Sequence, residues 1–135
     1  MSSVPDVVLL AAVVEQAPEA MIFADREGII RIWNARAEAV FGFPASEAVG
    51  NSLDVIIPED LRAAHWRGFH RAISAGHTRS GGKAMATRAA HKHGGRLYVE
   101  LAFGIVADGS EGVMGALAMA RNITQRYLAD RAKQG

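Results

Sequence analysis

The sequence contains no cysteine, which excludes disulfides, thiolate metal sites and chromophores attached through a cysteine sulfur. It also lacks an excess of either charge, because 15 Lys and Arg residues are balanced by 14 Asp and Glu residues, for a formal net charge of +1. A broad basic surface is therefore not expected, and we predict no nucleic-acid partner.

Long hydrophobic runs and catalytic motifs are missing as well. The longest apolar run, residues 7–14, is too short to span a membrane and has no basic flank of the kind found in signal peptides. Gly81 and Gly82 are followed by Lys83 and Ala84 and not by the Lys-Ser or Lys-Thr pair of a phosphate-binding loop. We therefore expect a cytoplasmic protein that has no membrane partner and is not an enzyme.

The 135 residues, half of them hydrophobic, are enough for one domain with its own core. Hydrophobic periodicity and turn residues predict strands at residues 20–25, 29–34, 83–90, 96–107 and 113–121, and helices at 5–16, 35–40, 58–75 and 122–133. This order predicts an α+β domain with a five-stranded antiparallel sheet and helices on one face. We divide the chain into an N-terminal helix (1–16), a central domain (17–122) and a C-terminal helix (123–135).

One helix, predicted from about Pro58 to Ala75, carries an unusual residue in its buried stripe. Leu61, His65, Phe69 and Ile73 recur at a spacing of four and should face the core. A histidine in such a stripe is a candidate ligand for a metal or for a buried small molecule.

Several short motifs occur in an order typical of one family. They are Ile-Trp-Asn-Ala-Arg-Ala-Glu at 32–38, Phe-Gly-Phe at 41–43, Gly50, Ile-Pro-Glu-Asp at 57–60, Lys-His-Gly-Gly at 92–95 and Arg-Asn-Ile-Thr-Gln-Arg at 121–126. With these motifs residues 16–127 resemble a PAS domain, a sensory module of bacterial signalling proteins. Asn122 stands where the family usually has Asp.

Residues 57–65 resemble a narrower group, the haem-binding PAS domains of bacterial oxygen-sensor kinases and phosphodiesterases. The resemblance implies that His65 is the proximal ligand to the iron of haem b. It further implies that Arg71 and Arg79 contact the haem propionates and that Leu101 lines the distal pocket.

Met85 departs from that group, because it occupies the position of the distal arginine that holds oxygen in those sensors. Lys83 falls where some of them carry a distal methionine. Without the arginine a charge-assisted hydrogen bond is missing, so carbon monoxide, nitric oxide or a redox change is as good a candidate signal as oxygen.

A second interpretation needs no haem. In it the chain is a protein-interaction module that binds a small organic ligand, or nothing, in the same pocket, and hydrogen bonds satisfy His65. By default, long apolar side chains fill gaps in the core, and this group comprises Met21, Met85, Met114 and Met119. Of these, Met85 alone is also a candidate distal contact of a haem.

The remaining histidines and aromatic residues favour simpler roles. His70 should lie on the surface, and His91 and His93 share a hairpin end where two histidines without a third ligand are usually solvated. Trp33 and Phe41 are expected to pack in the core.

The apolar helix at residues 5–16 should not lie exposed to water. It can fold back on its own domain or pack on a second copy of the chain, in a homodimer that also buries the outer face of the sheet, to which we assign Leu101, Ala118 and Ala120. We expect the signal to pass to a downstream signalling protein or to an effector domain outside these residues.

Overall fold

A computed structural model describes residues 6–110 and 112–134. The helices are α1 Val7–Glu15, α2 Ala35–Phe41, α3 Ala45–Ala48, α4 Arg62–Ala75 and α5 Thr124–Gln134, with 3₁₀ turns at Leu53–Ile56 and Glu59–Leu61. The strands are β1 Ala20–Asp25, β2 Ile30–Trp33, β3 Met85–Arg88, β4 Tyr98–Asp108 and β5 Gly112–Asn122.

The five strands form one antiparallel sheet in the order β2-β1-β5-β4-β3. Buried residues of α2, α3 and α4 form a single core cluster with the residues of the sheet. The predicted α+β class and five-stranded sheet are therefore confirmed.

Two helices begin beside a side chain that caps them, and one ends at a glycine, as their residue types predict. The Asn34 side chain accepts from Ala37 N at 3.0 Å and caps α2, and Asn122 accepts from Thr124 N at 3.0 Å before α5. Gly42 ends α2 at a φ of 85°, a conformation that glycine adopts without a steric cost. The long helix begins later than predicted, because a separate 3₁₀ turn follows Pro58.

The inner face of the sheet carries residues that the sequence analysis assigned to the outer face. Leu101 and Ala118 line the internal cavity, and Ala120 is buried against the core. Side chains alternate along a strand, so the outward positions next to them hold Ala102, Leu117 and Met119. The earlier assignment was one residue out of phase, which exchanges the two faces of a strand.

Helix α1 does not fold back on the domain, and that alternative is wrong. None of its residues is buried, and Val7, at its start, is 79% exposed. Its C-terminal end is held by a hydrogen bond from Asn34 Nδ2 to Val14 O at 2.8 Å. In residues 6–110 and 112–134 no helix combines the length and the apolar character needed to cross a bilayer.

Candidate functional site

A cavity of about 360 Å³ lies between the sheet and α4, within the size range typical of small-molecule sites. Its lining is almost wholly apolar. The sheet supplies Ile22, Ala24, Met85, Thr87, Arg88, Val99, Leu101, Phe103, Ala116 and Ala118, and Ala89 follows β3. The helical side supplies Phe41, Leu53, Ile56, Ile57, Leu61, Ala64, His65 and Phe69.

His65 is the polar side chain that α4 contributes to this cavity. The predicted stripe is confirmed, because Phe69 and Ile73 are buried on the same face and Leu61 lines the cavity with His65. Within the described part of the chain, Nδ1 of His65 is buried and has no hydrogen-bond partner. Burial lowers the pKa of the imidazole below its ordinary value, against an opposing attraction from Asp54. The ring is thus neutral near pH 7, the form that binds metals.

Trp66 fixes the orientation of the helix beside His65, a role that no sequence motif indicated. Its ring lies edge-on to His65, with centroids 4.7 Å apart, and its Nε1–H donates to Asp54 Oδ1 at 2.8 Å. The ring also covers Gly28, where an added Cβ would lie 2.2 Å from it. Contacts of Trp66 with two other segments, the 3₁₀ turn of Asp54 and the turn at Gly28, therefore hold this part of α4 in place.

Met85 and Leu101 lie opposite each other on paired strands and both line the cavity. Met85 is 55% exposed, so it stands at the opening of the cavity. The default interpretation of Met85 and Met114 as core filling is wrong, since Met114 is also exposed. Lys83 is exposed and does not line the cavity.

The two arginines predicted to contact propionates do not line the cavity. Arg71 is exposed on α4, and Arg79 is exposed in the segment between α4 and β3. The cavity is instead lined by a different arginine, Arg88, which no sequence motif indicated. The roles of Arg71 and Arg79 stay predictions.

The predicted surface position of His70 and the predicted core packing of Trp33 and Phe41 are confirmed. His70 is exposed, and the Trp33 and Phe41 rings pack in the core with centroids 5.5 Å apart. The His91 and His93 rings lie 5.6 Å apart, but among the described residues no group of three His, Asp or Glu side chains can hold a metal ion.

The chain belongs to the PAS family, because the PAS fold matches its residues 9–123. The fold and the family together define a sensory PAS domain with an internal cavity.

Two curated proteins are similar to it in sequence. The oxygen sensor protein DosP of Escherichia coli is 27% identical over 108 residues, which are 80% of this chain and 13% of DosP. The sensor protein FixL of Bradyrhizobium diazoefficiens is 36% identical over 56 residues, which are 42% of this chain and 11% of FixL. The chain thus matches only a small part of either relative.

The fold is also similar to that of the PAS domain of a protein from Colwellia psychrerythraea. The TM-score is 0.76 at 21% identity, and the match covers 90% of this chain and all of that one. At this identity the likeness bears on the fold alone.

Proposed function

We propose that this PAS domain is a haem-based gas or redox sensor in which His65 is the protein ligand to the iron. The observation that carries the proposal is the buried and unpartnered Nδ1 of His65 beside an apolar cavity. Buried polar atoms nearly always have a partner, so one without a partner suggests a group that the cavity receives. The likeness to a protein named as an oxygen sensor supports the same proposal.

The residues around the cavity fit a haem. When bound, haem would supply an iron centre that can take up a gas ligand and change its oxidation state. His65 provides a neutral imidazole, and the apolar lining excludes water from that side. Leu101 and Met85 line the sheet side of the cavity, opposite the helix that carries His65. Arg71 and Arg79, both exposed, are proposed to reach the propionates at the cavity opening.

We propose that the signal is carbon monoxide, nitric oxide, oxygen or a redox change, with no preference for oxygen over the others. Met85 cannot donate a hydrogen bond, and in the cavity lining the one guanidinium, that of Arg88, is paired with Asp60. A bound gas that needs a charge-assisted hydrogen bond would therefore meet no cation in the described lining whose charge is not already balanced by a carboxylate. The sheet and α5 would then carry the change towards an output partner by a population shift.

Haem titration of the purified protein tests the proposal. We expect a Soret band that His65→Ala weakens or abolishes and that His70→Ala leaves in place, because His70 lies on the same helix but on its exposed side. A protein that shows no Soret shift at saturating haemin would end the haem proposal. The cavity would then support the second candidate, a haem-free interaction module with a small organic ligand, which the apolar lining favours.

We also propose that the domain forms a homodimer in the cytoplasm through α1 and the outer face of the sheet. The exposed apolar side chains of α1 need a partner surface. Leu117 and Met119, which face outward from the sheet and are partly exposed, can supply apolar surface for it. Leu10→Asp with Val13→Asp should convert the dimer to a monomer in light scattering, whereas Val49→Asp, a change at another exposed apolar residue, should not. A wild-type chain that is monomeric at tens of micromolar would contradict this.

A further inference from the structure

Arg88, at the end of β3, is the one residue with a permanent charge among the described residues that line the cavity. The rest of the lining is apolar except for Thr87 and His65. A cationic group at the edge of an apolar cavity is complementary to a ligand that has an apolar body and an anionic end.

Asp60 holds the guanidinium of Arg88 in the structure as described. Arg88 Nη2 and Asp60 Oδ2 are 2.5 Å apart, and the two side chains are 47% and 64% exposed. Asp60 directly precedes cavity-lining Leu61, so the ion pair joins β3 to the segment that leads into α4. Because an ion pair this exposed contributes little stability, a ligand anion can compete for the arginine.

We propose that the cavity takes an amphipathic carboxylate and that Arg88 exchanges Asp60 for the carboxylate of the ligand. A planar guanidinium can bind a carboxylate with two parallel hydrogen bonds, whereas Asp60 makes one with Arg88, so a ligand carboxylate can replace it with at least as many. The inference uses the cavity of the proposed function, and it specifies the ligand class. A haem propionate and the carboxylate of a fatty or aromatic acid share this chemistry.

The exchange would also alter the link between two elements of the fold. Once Arg88 binds the ligand, Asp60 is free and the side-chain tie between β3 and the start of α4 is lost. The backbone hydrogen bond from Ala90 N to Ile56 O, at 2.9 Å, remains as a pivot beside it. Occupancy of the cavity is thereby coupled to the position of the helix that carries His65.

A matched pair of probes, octanoate and 1-octanol, isolates the charge. In NMR titrations of the haem-free protein, octanoate should bind more tightly than octanol, and Arg88→Met should weaken octanoate by about tenfold with little change for octanol. Asp60→Asn should have the opposite effect and tighten octanoate by up to about fivefold, since it removes the competitor. Arg67→Met, at an exposed arginine of α4 outside the cavity lining, is the control variant and should leave the preference for octanoate unchanged. Arg71→Met and Arg79→Met are measured beside it as the competing anion sites of the proposed function.

A second arm separates haem from other carboxylates. Haemin should lose affinity on Arg88→Met, whereas haemin dimethyl ester, whose propionates are blocked, should not. If Arg88→Met weakens the binding of octanoate but not that of haemin, the ligand is a carboxylate other than haem.

Three results would overturn the inference. The first is an Arg88→Met variant that binds both probes as the wild type does, and the second is loss of the octanoate preference on Arg71→Met or Arg79→Met instead. The third is a cavity that binds neither octanoate nor haemin. A Soret band that depends on His65, together with octanoate binding that does not depend on Arg88, would leave the haem proposal standing while rejecting this one.

Discussion

Asn34 and His65 are two polar side chains set among apolar neighbours, and they differ in whether their hydrogen bonds are made. Asn34 is 1% exposed, and its Oδ1 accepts from the backbone N–H groups of Met21 and Ala37. Its Nδ2 donates to the carbonyls of Val14 and Glu19, so the amide is fully satisfied. His65 has a buried Nδ1 with no partner in the described structure.

The difference separates a structural role from a functional one. Asn34 joins β1, α2 and the end of α1 through one side chain, and any replacement would leave buried backbone groups unpaired. His65 contributes no hydrogen bond to the fold through Nδ1, so replacing its imidazole removes no hydrogen bond made by that atom. A buried polar group that the fold does not use is available to a ligand.

Paired substitutions at the two sites should give the largest effect. Asn34→Ala should lower the free energy of unfolding by about 3 kcal/mol, because it removes partners from several buried backbone groups. His65→Leu should change it by less than about 1 kcal/mol, since a similar volume replaces a group with an unmade hydrogen bond. Urea unfolding of the haem-free protein measures both. Equal losses at the two positions would show that His65 is a structural residue.

A pair of glycine substitutions sharpens the comparison by testing what supports His65. At Gly28, with φ of 82°, a Cβ would lie 2.2 Å from the Trp66 ring, whereas at Gly50, with φ of 94°, it would meet nothing within 4 Å. Gly50→Ala should therefore cost about 1 kcal/mol of backbone strain, and Gly28→Ala about 2 to 3 kcal/mol. Only Gly28→Ala should change the fluorescence of Trp66 and the NMR signals of His65. Identical behaviour of the two variants would mean that Trp66 does not hold the helix.

The helical part of the site could be predicted from the sequence because a period near four residues reflects burial directly. His65, Phe69 and Ile73 follow from that spacing alone. The sheet was harder, since β4 is apolar on both faces over most of its length and Glu100 is the one charged residue between Tyr98 and Asp108. Leu101 was therefore assigned to two faces at once, to the cavity by resemblance and to the outside by pattern.

Contacts between distant segments left no signal in the sequence. Arg88 and Asp60 are 28 residues apart, and Trp66 meets Gly28 only once α4 has packed across the β1–β2 turn. The cap at Asn34 could be predicted because it is local, but its bonds to Val14 and Glu19 depend on the folded chain.

The smallest expected effect is a pH dependence of stability that belongs to His65. In the unfolded chain its imidazole takes a proton near pH 6.5, whereas burial, with a smaller contribution from His70, lowers the pKa in the folded protein against the attraction of Asp54. The unfolded state therefore binds more protons below that pH, and the free energy of unfolding falls as the pH drops through and below about 6.5. The effect is modest because His65 is only half-buried and solvent screens its charge.

Urea unfolding of the haem-free wild type and of His65→Leu at pH 7.5 and pH 5.5 measures this effect. The free energy of unfolding should fall more between the two pH values in the wild type. The comparison removes the contribution of the other histidines, because both proteins contain them. An equal loss in both proteins, or a steeper one in His65→Leu, would mean that the folded protein takes up the proton at His65 at least as readily as the unfolded chain does.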